Sequence, residues 1–194
     1  MNTKNTITNN TDSLDAVAPE VVQAKIVSAA CCLDGVTGGA ALYKVKGDTS
    51  KEWKSRELLI HAPYKAERAI LEGMVESIEA VLDEVGLDKA RELEITCVVY
   101  SDVIVRGFNN QKETWEANGF INRRGNKVKE SRYWKQLFSL AEACKITVRK
   151  PTKYSTVLKG CTNRARMVAQ AGLQYKRDAE VMAQVADAVA KDRS

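Results

Sequence analysis

Histidine, proline and long apolar runs are scarce in this chain. Its 194 residues include one His and three Pro, and so little proline argues against long disordered regions. No apolar run approaches the ~18 residues that a membrane-spanning helix needs. The N-terminal sequence MNTKNTITNN has neither an apolar core nor a cleavage site. The sequence therefore predicts a cytoplasmic protein without a membrane partner.

Cysteine occurs without a pattern that would bind a metal. The five Cys residues stand in apolar or strand-like segments, and they show no paired metal-ligand spacing. Free cysteine is among the most often buried residue types. We therefore expect buried free thiols at Cys31, Cys32, Cys97, Cys144 and Cys161.

Acidic residues are missing from one long span. Residues 145–177 carry nine Lys or Arg and no Asp or Glu, whereas residues 65–84 carry six acids against two bases. The net charge of +5 is therefore unevenly placed. One face of the fold should be strongly positive, which suits a polyanionic partner. The alternative, a merely solvated surface, explains scattered charges better than a span without any acid.

The length suits one domain with a tail at each end. Residues 1–20 are rich in Asn and Thr and predict a flexible arm, because little in them can be buried. A single domain is expected over residues 21–178. Residues 179–194 are expected to form a helical extension.

Apolar periodicity predicts five strands and four main helices. The predicted strands are 21–33, 40–46, 52–60, 93–100 and 145–150, with a tight turn at 34–39. The predicted helices begin after residue 63, near residue 102, after the loop around residue 125, and near residue 160, the last continuing to about residue 191. The order βββ-α-β-α-α-β-α predicts an α/β fold. Its five-stranded mixed sheet has three antiparallel and two parallel strands, with helices on both faces.

The middle of the chain combines a strand, a carboxylate and a basic arm. The predicted strand at residues 93–100 leads into a turn at Ser101-Asp102, and a helix carrying Trp115 comes next. Residues 103–135 hold eight Lys or Arg against three Glu, a net charge of +5. A basic, aromatic-bearing arm beside a lone carboxylate indicates nucleic acid bound near a present or former metal site. Aromatic residues at helical spacing are, however, more often part of a core.

Four short motifs resemble those of type 1 ribonuclease H. They are Tyr100-Ser101-Asp102, the segment WEANGF at residues 115–120, Tyr133-Trp134, and Pro63-Tyr64-Lys65-Ala66-Glu67. The resemblance covers about residues 22–171 and implies an RNase H-like fold. In that family two divalent cations held by four carboxylates hydrolyse the RNA strand of RNA–DNA hybrids. The resemblance places Glu67 and Asp102 at the second and third carboxylate positions.

The resemblance leaves the first and fourth carboxylate positions without a clear occupant. One alignment of the first strand puts Ala29 where the family has Asp, and a rival alignment uses Asp34. The two alignments differ by five residues, and an odd shift reverses which side chains face inward. At the fourth position Thr162 or Asn163 replaces Asp.

Histidine is also missing from the place that the family would give its catalytic His. Lys150-Pro151-Thr152 stands where the family has a Lys-Gly-His segment. His61, the only His in the chain, ends the third predicted strand and is expected to be structural.

These replacements favour a protein that has lost hydrolysis and binds RNA, an RNA–DNA hybrid or single-stranded DNA without a cofactor. Glu67 and Asp102 would then be relics, with Asp102 capping the helix that follows. The predicted nucleic-acid-binding residues are Lys112, Trp115, Asn118, Arg123, Arg124, Lys127, Lys129, Lys150, Lys153, Lys159, Arg164 and Arg166.

Two other functions stay open at this point. The first is an active, Mg²⁺-dependent ribonuclease that uses Asp34, Glu67 and Asp102 with a weak ligand at Asn163. The second is an interaction module that forms an oligomer or binds a protein partner through the C-terminal helix, at Val181, Val185 and Val189.

Overall fold

A computed structural model describes residues 21–47, 52–62, 65–153 and 155–192. The strands are β1 Val22–Leu33, β2 Val36–Val45, β3 Lys54–Ile60, β4 Leu93–Val98 and β5 Lys145–Arg149. The helices are α1 Ala66–Val85, α2 Asp102–Asn110, α3 Lys112–Ala117, α4 Ser131–Ala143 and α5 Thr156–Asp192, and a 3₁₀ helix spans Leu87–Glu92. The predicted arm at residues 1–20 lies outside the described residues. The predicted order of strands and main helices is confirmed.

The five strands form one mixed sheet in the order β3-β2-β1-β4-β5. Strand β1 pairs antiparallel with β2, and β2 pairs antiparallel with β3. After the crossover through α1, β4 pairs parallel with β1, and β5 pairs parallel with β4. The predicted α/β fold with three antiparallel and two parallel strands is therefore confirmed, and β1 is the central strand.

Alternate residues of β1 point into two separate cores. Ala24 and Ile26 belong to a large cluster that includes residues of α1 and α4. Val27 and Ala29 belong to a smaller cluster with Leu158 of α5. Because successive side chains of a strand face opposite sides of the sheet, α1 and α4 cover one face and α5 covers part of the other.

Gly38 and Gly39 lie within β2, which corrects the predicted turn at residues 34–39. The turn is confined to Asp34 and Gly35, both with positive φ, and such two-residue turns suit a hairpin. A Cβ on Gly38 would collide with the main-chain carbonyl oxygen of Ala165 in α5, and one on Gly39 would lie 2.9 Å from the Cβ of Ala69 in α1. The two glycines are therefore needed for helix packing on both faces rather than for the turn.

Two helix boundaries also differ from the sequence prediction. The helix predicted to run through Trp115 breaks at Gln111 into α2 and α3. The last helix begins at Thr156 rather than Gly160, and the Ser155 hydroxyl accepts a hydrogen bond from the Leu158 amide at 3.3 Å. Ser155 thus satisfies one free amide of the first turn and extends the helix toward its N-terminus.

The cysteines are all free, but the prediction that all five are buried is wrong. Cys97, Cys144 and Cys161 are buried, whereas Cys31 is partly exposed and Cys32 is exposed at the end of β1. Burial raises the pKa of the Cys161 thiol to about 12, and burial also raises the pKa of Cys97.

We expect Cys32 to react first with a thiol reagent under native conditions. The thiolate is the reactive form, and burial disfavours it at the three core cysteines. Labelling followed by mass spectrometry should give one fast adduct at Cys32 and a slower one at Cys31. All five should react in denaturant, and fast native labelling of Cys97 would contradict the structure.

Helix α5 extends well beyond the sheet. It is 37 residues long, or about 55 Å at the usual helical rise. Its buried positions end at Gly172, and Tyr175, Val181, Met182 and Val185 are all exposed. None of the helices in the described part of the chain is long and apolar enough to cross a membrane.

Candidate nucleic-acid interface

Asp102 lies at the edge of the sheet where β4 ends and α2 begins. The Lys150 ammonium, just past the end of β5, lies 2.6 Å from its carboxylate. Parallel pairing of β4 with β5 brings these two residues together, because both follow strands that end at the same edge. The hydrogen bond from Lys150 lowers the pKa of Asp102. The carboxylate is therefore ionised at neutral pH, and the pair is lost only as the pH falls through that lowered value.

Asp102 does not cap α2, contrary to the sequence prediction. Ser101 is the N-cap, and its hydroxyl accepts a hydrogen bond from the Ile104 amide at 3.4 Å. Asp102 is the first helical residue, where the positive end of the helix dipole still stabilises a negative charge. Its carboxylate points instead to Lys150, so a cation already holds this acid.

Glu67 lies in the first turn of α1 and lines a groove. The groove has a volume of about 660 Å³ and lies between α1, the start of α2 and residues 127–134. Five of its lining residues are basic. Lys127 and Lys129 are among the predicted binding residues, whereas Lys65, Arg68 and Arg132 are not. Lys65 lies two residues before Glu67 in the family-like motif, but the motif drew attention only to the acid.

Ala29 lies on the α5 face of β1 and is 8% exposed. The Cys161 thiol in the first turns of α5 donates to the Val27 and Ala40 carbonyls at 3.3 and 3.2 Å. This part of α5 is therefore fixed next to Ala29. The neighbouring Thr162 hydroxyl donates to the Leu158 carbonyl in its own helix. Ala29 and the Cys161–Thr162 segment, which are candidates for the first and fourth positions of the resemblance, are thus close together.

Asp34 lies at the tip of the β1–β2 hairpin. It is about 17 Å beyond Ala29 along the strand, at the usual rise of ~3.3 Å per residue. A Cβ on its neighbour Gly35 would lie 3.4 Å from the Lys176 ammonium, far along α5 from Cys161. The β1–β4 register pairs Val27 with Val98, so Ala29 rather than Asp34 is level with the end of β4.

These residues do not fit a pair of divalent cations. Across residues 21–47, 52–62, 65–153 and 155–192, no three His, Cys, Asp or Glu side chains are close enough to hold one metal ion. Asp102 is paired with Lys150, and Thr162 and Asn163 carry no charge. Protein-bound Mg²⁺ usually takes one or two carboxylates together with substrate phosphates, and a pair of such ions is poorly served by an Asp102 carboxylate that Lys150 already pairs.

The segment at residues 121–130, which we call the basic loop, carries four exposed cations. They are Arg123, Arg124, Lys127 and Lys129. The Asn122 side chain accepts hydrogen bonds from the Arg124 and Asn126 amides at 2.9 and 3.1 Å, and this holds the turn. Among the described residues none of the four cations is in an ion pair. The basic loop therefore presents unpaired positive charge on an ordered turn.

Trp115 belongs to an aromatic cluster beneath the basic loop. Its ring packs edge-on against Trp134 at 5.1 Å, and Phe120 and Phe138 also contact it. Trp134 is buried, as expected for a core residue, whereas Trp115 is half-buried and lines a surface groove with Asn118, Arg123 and Arg124. Part of the Trp115 ring is thus available to a ligand that contacts the basic loop.

The other predicted binding residues divide into paired and unpaired groups. Lys112 bonds Glu142 at 3.2 Å, and Arg164 bonds Glu57 at 2.9 Å. The Lys112 ammonium and the Arg164 guanidinium are therefore partly neutralised by acids of the same fold. Of the predicted binding residues outside the basic loop, Lys153, Lys159 and Arg166 are exposed and form no ion pair among the described residues.

No protein-family model matches the sequence, and no curated protein matches it either. Solved structures do match the fold. A foamy viral protease–reverse transcriptase in complex with dsDNA is 20% identical, covers 78% of this chain and 93% of its own, and has a TM-score of 0.55. LC9-RNase H1, a type 1 RNase H with the type 2 active-site motif, is 14% identical over 79% of this chain and 74% of its own, with a TM-score of 0.62.

A third similar structure, LC11-RNase H1 in complex with an RNA/DNA hybrid, is 14% identical. It covers 78% of this chain and 99% of its own, with a TM-score of 0.50. The identities are too low to carry more than the fold. The chain has an RNase H-like fold, as the resemblance of its motifs implied.

Proposed function

We propose that this protein binds nucleic acid, with RNA as its main target, on an RNase H-like fold that does not hydrolyse it. The observation that carries the proposal is the Lys150–Asp102 pair at 2.6 Å. The ammonium lies against a carboxylate that, by resemblance, would bind a metal ion. A fixed cation at this point disfavours a divalent ion by like-charge repulsion.

The basic loop supplies the second support. Arg and Lys side chains without internal partners bind phosphates and release counterions, which is the main source of affinity for nucleic acid. The half-exposed Trp115 ring beside the loop can contact a base or a sugar. Among the similar structures, one is a complex with dsDNA and another a complex with an RNA/DNA hybrid. Those ligands support, by analogy of fold, the kind of partner proposed here.

A cytoplasmic location is part of the proposal, because five free cysteines suit a reducing compartment. A second copy or a protein partner on the exposed residues of α5 is compatible with it. The basic loop lies on another part of the molecule, so the two kinds of binding do not compete.

The decisive experiment incubates the protein with a labelled RNA–DNA hybrid in Mg²⁺ or Mn²⁺. We expect no cleavage, together with tight binding that weakens as salt is raised. Similar structures include RNase H enzymes, so an active enzyme is the alternative that this assay tests. Metal-dependent cleavage that Asp102→Asn abolishes would overturn the proposal.

The same variant makes an opposite prediction for binding. Asp102→Asn removes a negative charge and frees Lys150 for a phosphate, and we expect affinity for RNA to rise about fivefold, as one added phosphate contact gives near 0.1 M salt. Fluorescence anisotropy with a labelled RNA measures this affinity. Asp187→Asn, an exposed acid on the far part of α5, is the matched control and should change affinity less than twofold. An equal rise in both variants would mean that Asp102 acts only through net charge.

A further inference from the structure

The α5 face of the sheet is open at the end where β1 begins. Helix α5 covers Val27 and Ala29 but leaves Gln23 and Lys25, which come earlier on the same face of β1, exposed. A cleft of about 620 Å³ lies there, with residues of β1, β2, β4 and β5 along its walls. The basic loop and the aromatic cluster belong to the other face, so this cleft is a separate surface.

Strand register sets a row of side chains across this open face. Lys25 of β1 pairs with Lys44 of β2 and with Thr96 of β4. Tyr43 of β2 pairs with Lys54 of β3. In the same antiparallel register the next residue of β2, Lys44, lies opposite Trp53, which precedes β3 by one residue. Trp53 therefore continues the row. Directly paired residues point to the same side of a sheet. Two lysines opposite each other repel and destabilise the pairing, so the fold itself gains nothing from this arrangement.

The cleft has more positive charge than its own acid can balance. Its basic residues are Lys25, Lys44, Lys46 and Arg149, and its one acidic lining residue is Glu94. The Glu94 carboxylate already accepts a hydrogen bond from Lys145 at 2.6 Å. Lys46 bonds only the neutral Gln23 side chain, at 3.2 Å. In the described ranges, none of the four basic residues has an ion-pair partner.

Trp53 gives the cleft an aromatic wall. The indole packs against the Val27 and Leu158 cluster and also lines the cleft, so it is held in place but half-exposed. Proteins that bind single strands usually combine two components. Cations line a groove that follows the nucleic-acid backbone, and an aromatic ring stacks on the bases. Stacking of this kind needs unpaired bases, because a duplex keeps its base faces covered.

We propose that this open half of the sheet binds single-stranded nucleic acid, with a base stacked on Trp53 and phosphates held by Lys25, Lys44, Lys46 and Arg149. The site goes beyond the function proposed above, since it lies on the opposite face from the basic loop. Arg149 adjoins Lys150, which connects the two surfaces at the edge of the sheet. A ligand with a paired segment and a single-stranded extension could therefore contact both.

The test compares Lys25→Ala/Lys44→Ala with the wild-type protein by anisotropy on two probes, a labelled 12-nucleotide RNA strand and a blunt 12-base-pair hybrid. Two lost phosphate contacts at ~0.7 each in salt slope should weaken single-strand binding about 25-fold near 0.1 M salt, and should lower the slope by about 1.4. Binding of the blunt hybrid should change less than twofold. The matched control is Lys89→Ala/Arg91→Ala, two exposed cations on the 3₁₀ helix.

Folding is checked in the same samples by thermal denaturation. The double variant removes a like-charge pair, so its Tm should be equal to or above that of the wild type. Unchanged single-strand binding, an equal loss on both probes, or an equal loss in the control would overturn the single-strand site. Binding of an acidic peptide that RNA does not displace would also overturn it. The basic loop is tested separately, by replacing its own four cations and measuring the binding of the hybrid.

Discussion

Replacing the four cations of the basic loop by alanine is expected to lower the affinity for an RNA–DNA hybrid on the order of 10³-fold at 0.1 M salt. Each phosphate contact on a duplex contributes about 0.9 to the salt slope, or roughly eightfold in affinity near that salt. Arg123, Arg124, Lys127 and Lys129 have no ion-pair partner among the described residues, so their charge is fully available. The salt slope should fall by about 3.6. A titration at several salt concentrations measures both quantities.

The control removes four cations elsewhere, at Lys89, Arg91, Lys176 and Arg177, all of them exposed. This control changes the net charge by the same amount as the loop variant. It therefore separates the effect of where the cations lie from the effect of the overall charge of the protein. We expect a loss of less than tenfold and little change in slope. If control and loop variant lose affinity equally, binding depends on net charge, and the basic loop is not the contact surface.

The architecture was predictable because the apolar pattern of the main elements is unambiguous. Met74 and Ile78 follow the helical period, and both are buried in α1 against the sheet. Gly38 and Gly39 were misjudged for a physical reason. A glycine pair favours a turn in the local sequence, whereas its actual use depends on two helices that are distant in the chain and pack on either side of β2.

The chemistry at the edge of the sheet was less predictable. Sequence comparison placed Asp102 at the end of a strand and Lys150 near the position of a missing His. It could not show that the two side chains meet, because that depends on the parallel register of β4 and β5. The Trp53–Lys44–Lys25 row also depends on register, since the three residues come from different segments and share no motif.

Gly38→Ala is expected to destabilise the protein by about 3 kcal/mol, at the upper end of the usual cost of overpacking a core. The added Cβ would strike the Ala165 carbonyl and lie 2.5 Å from the Ala169 amide nitrogen, both in the main chain of α5. Main-chain atoms of a helix cannot move aside singly, so α5 as a whole must shift. Urea denaturation gives the change in the free energy of unfolding.

Gly160→Ala, within α5 itself, is the matched control. A Cβ there meets nothing within 4 Å, and alanine in a helix interior is favoured over glycine by ~1 kcal/mol, so this variant should be more stable than the wild type. Each variant adds one methyl group, in β2 against α5 at residue 38 and on an open side of α5 at residue 160. Their stabilities are expected to differ by about 4 kcal/mol, one below and one above the wild type. Equal stabilities would mean that the α5 main chain does not rest on β2. The placement of Cys161 and Thr162 beside Ala29 would then be wrong as well.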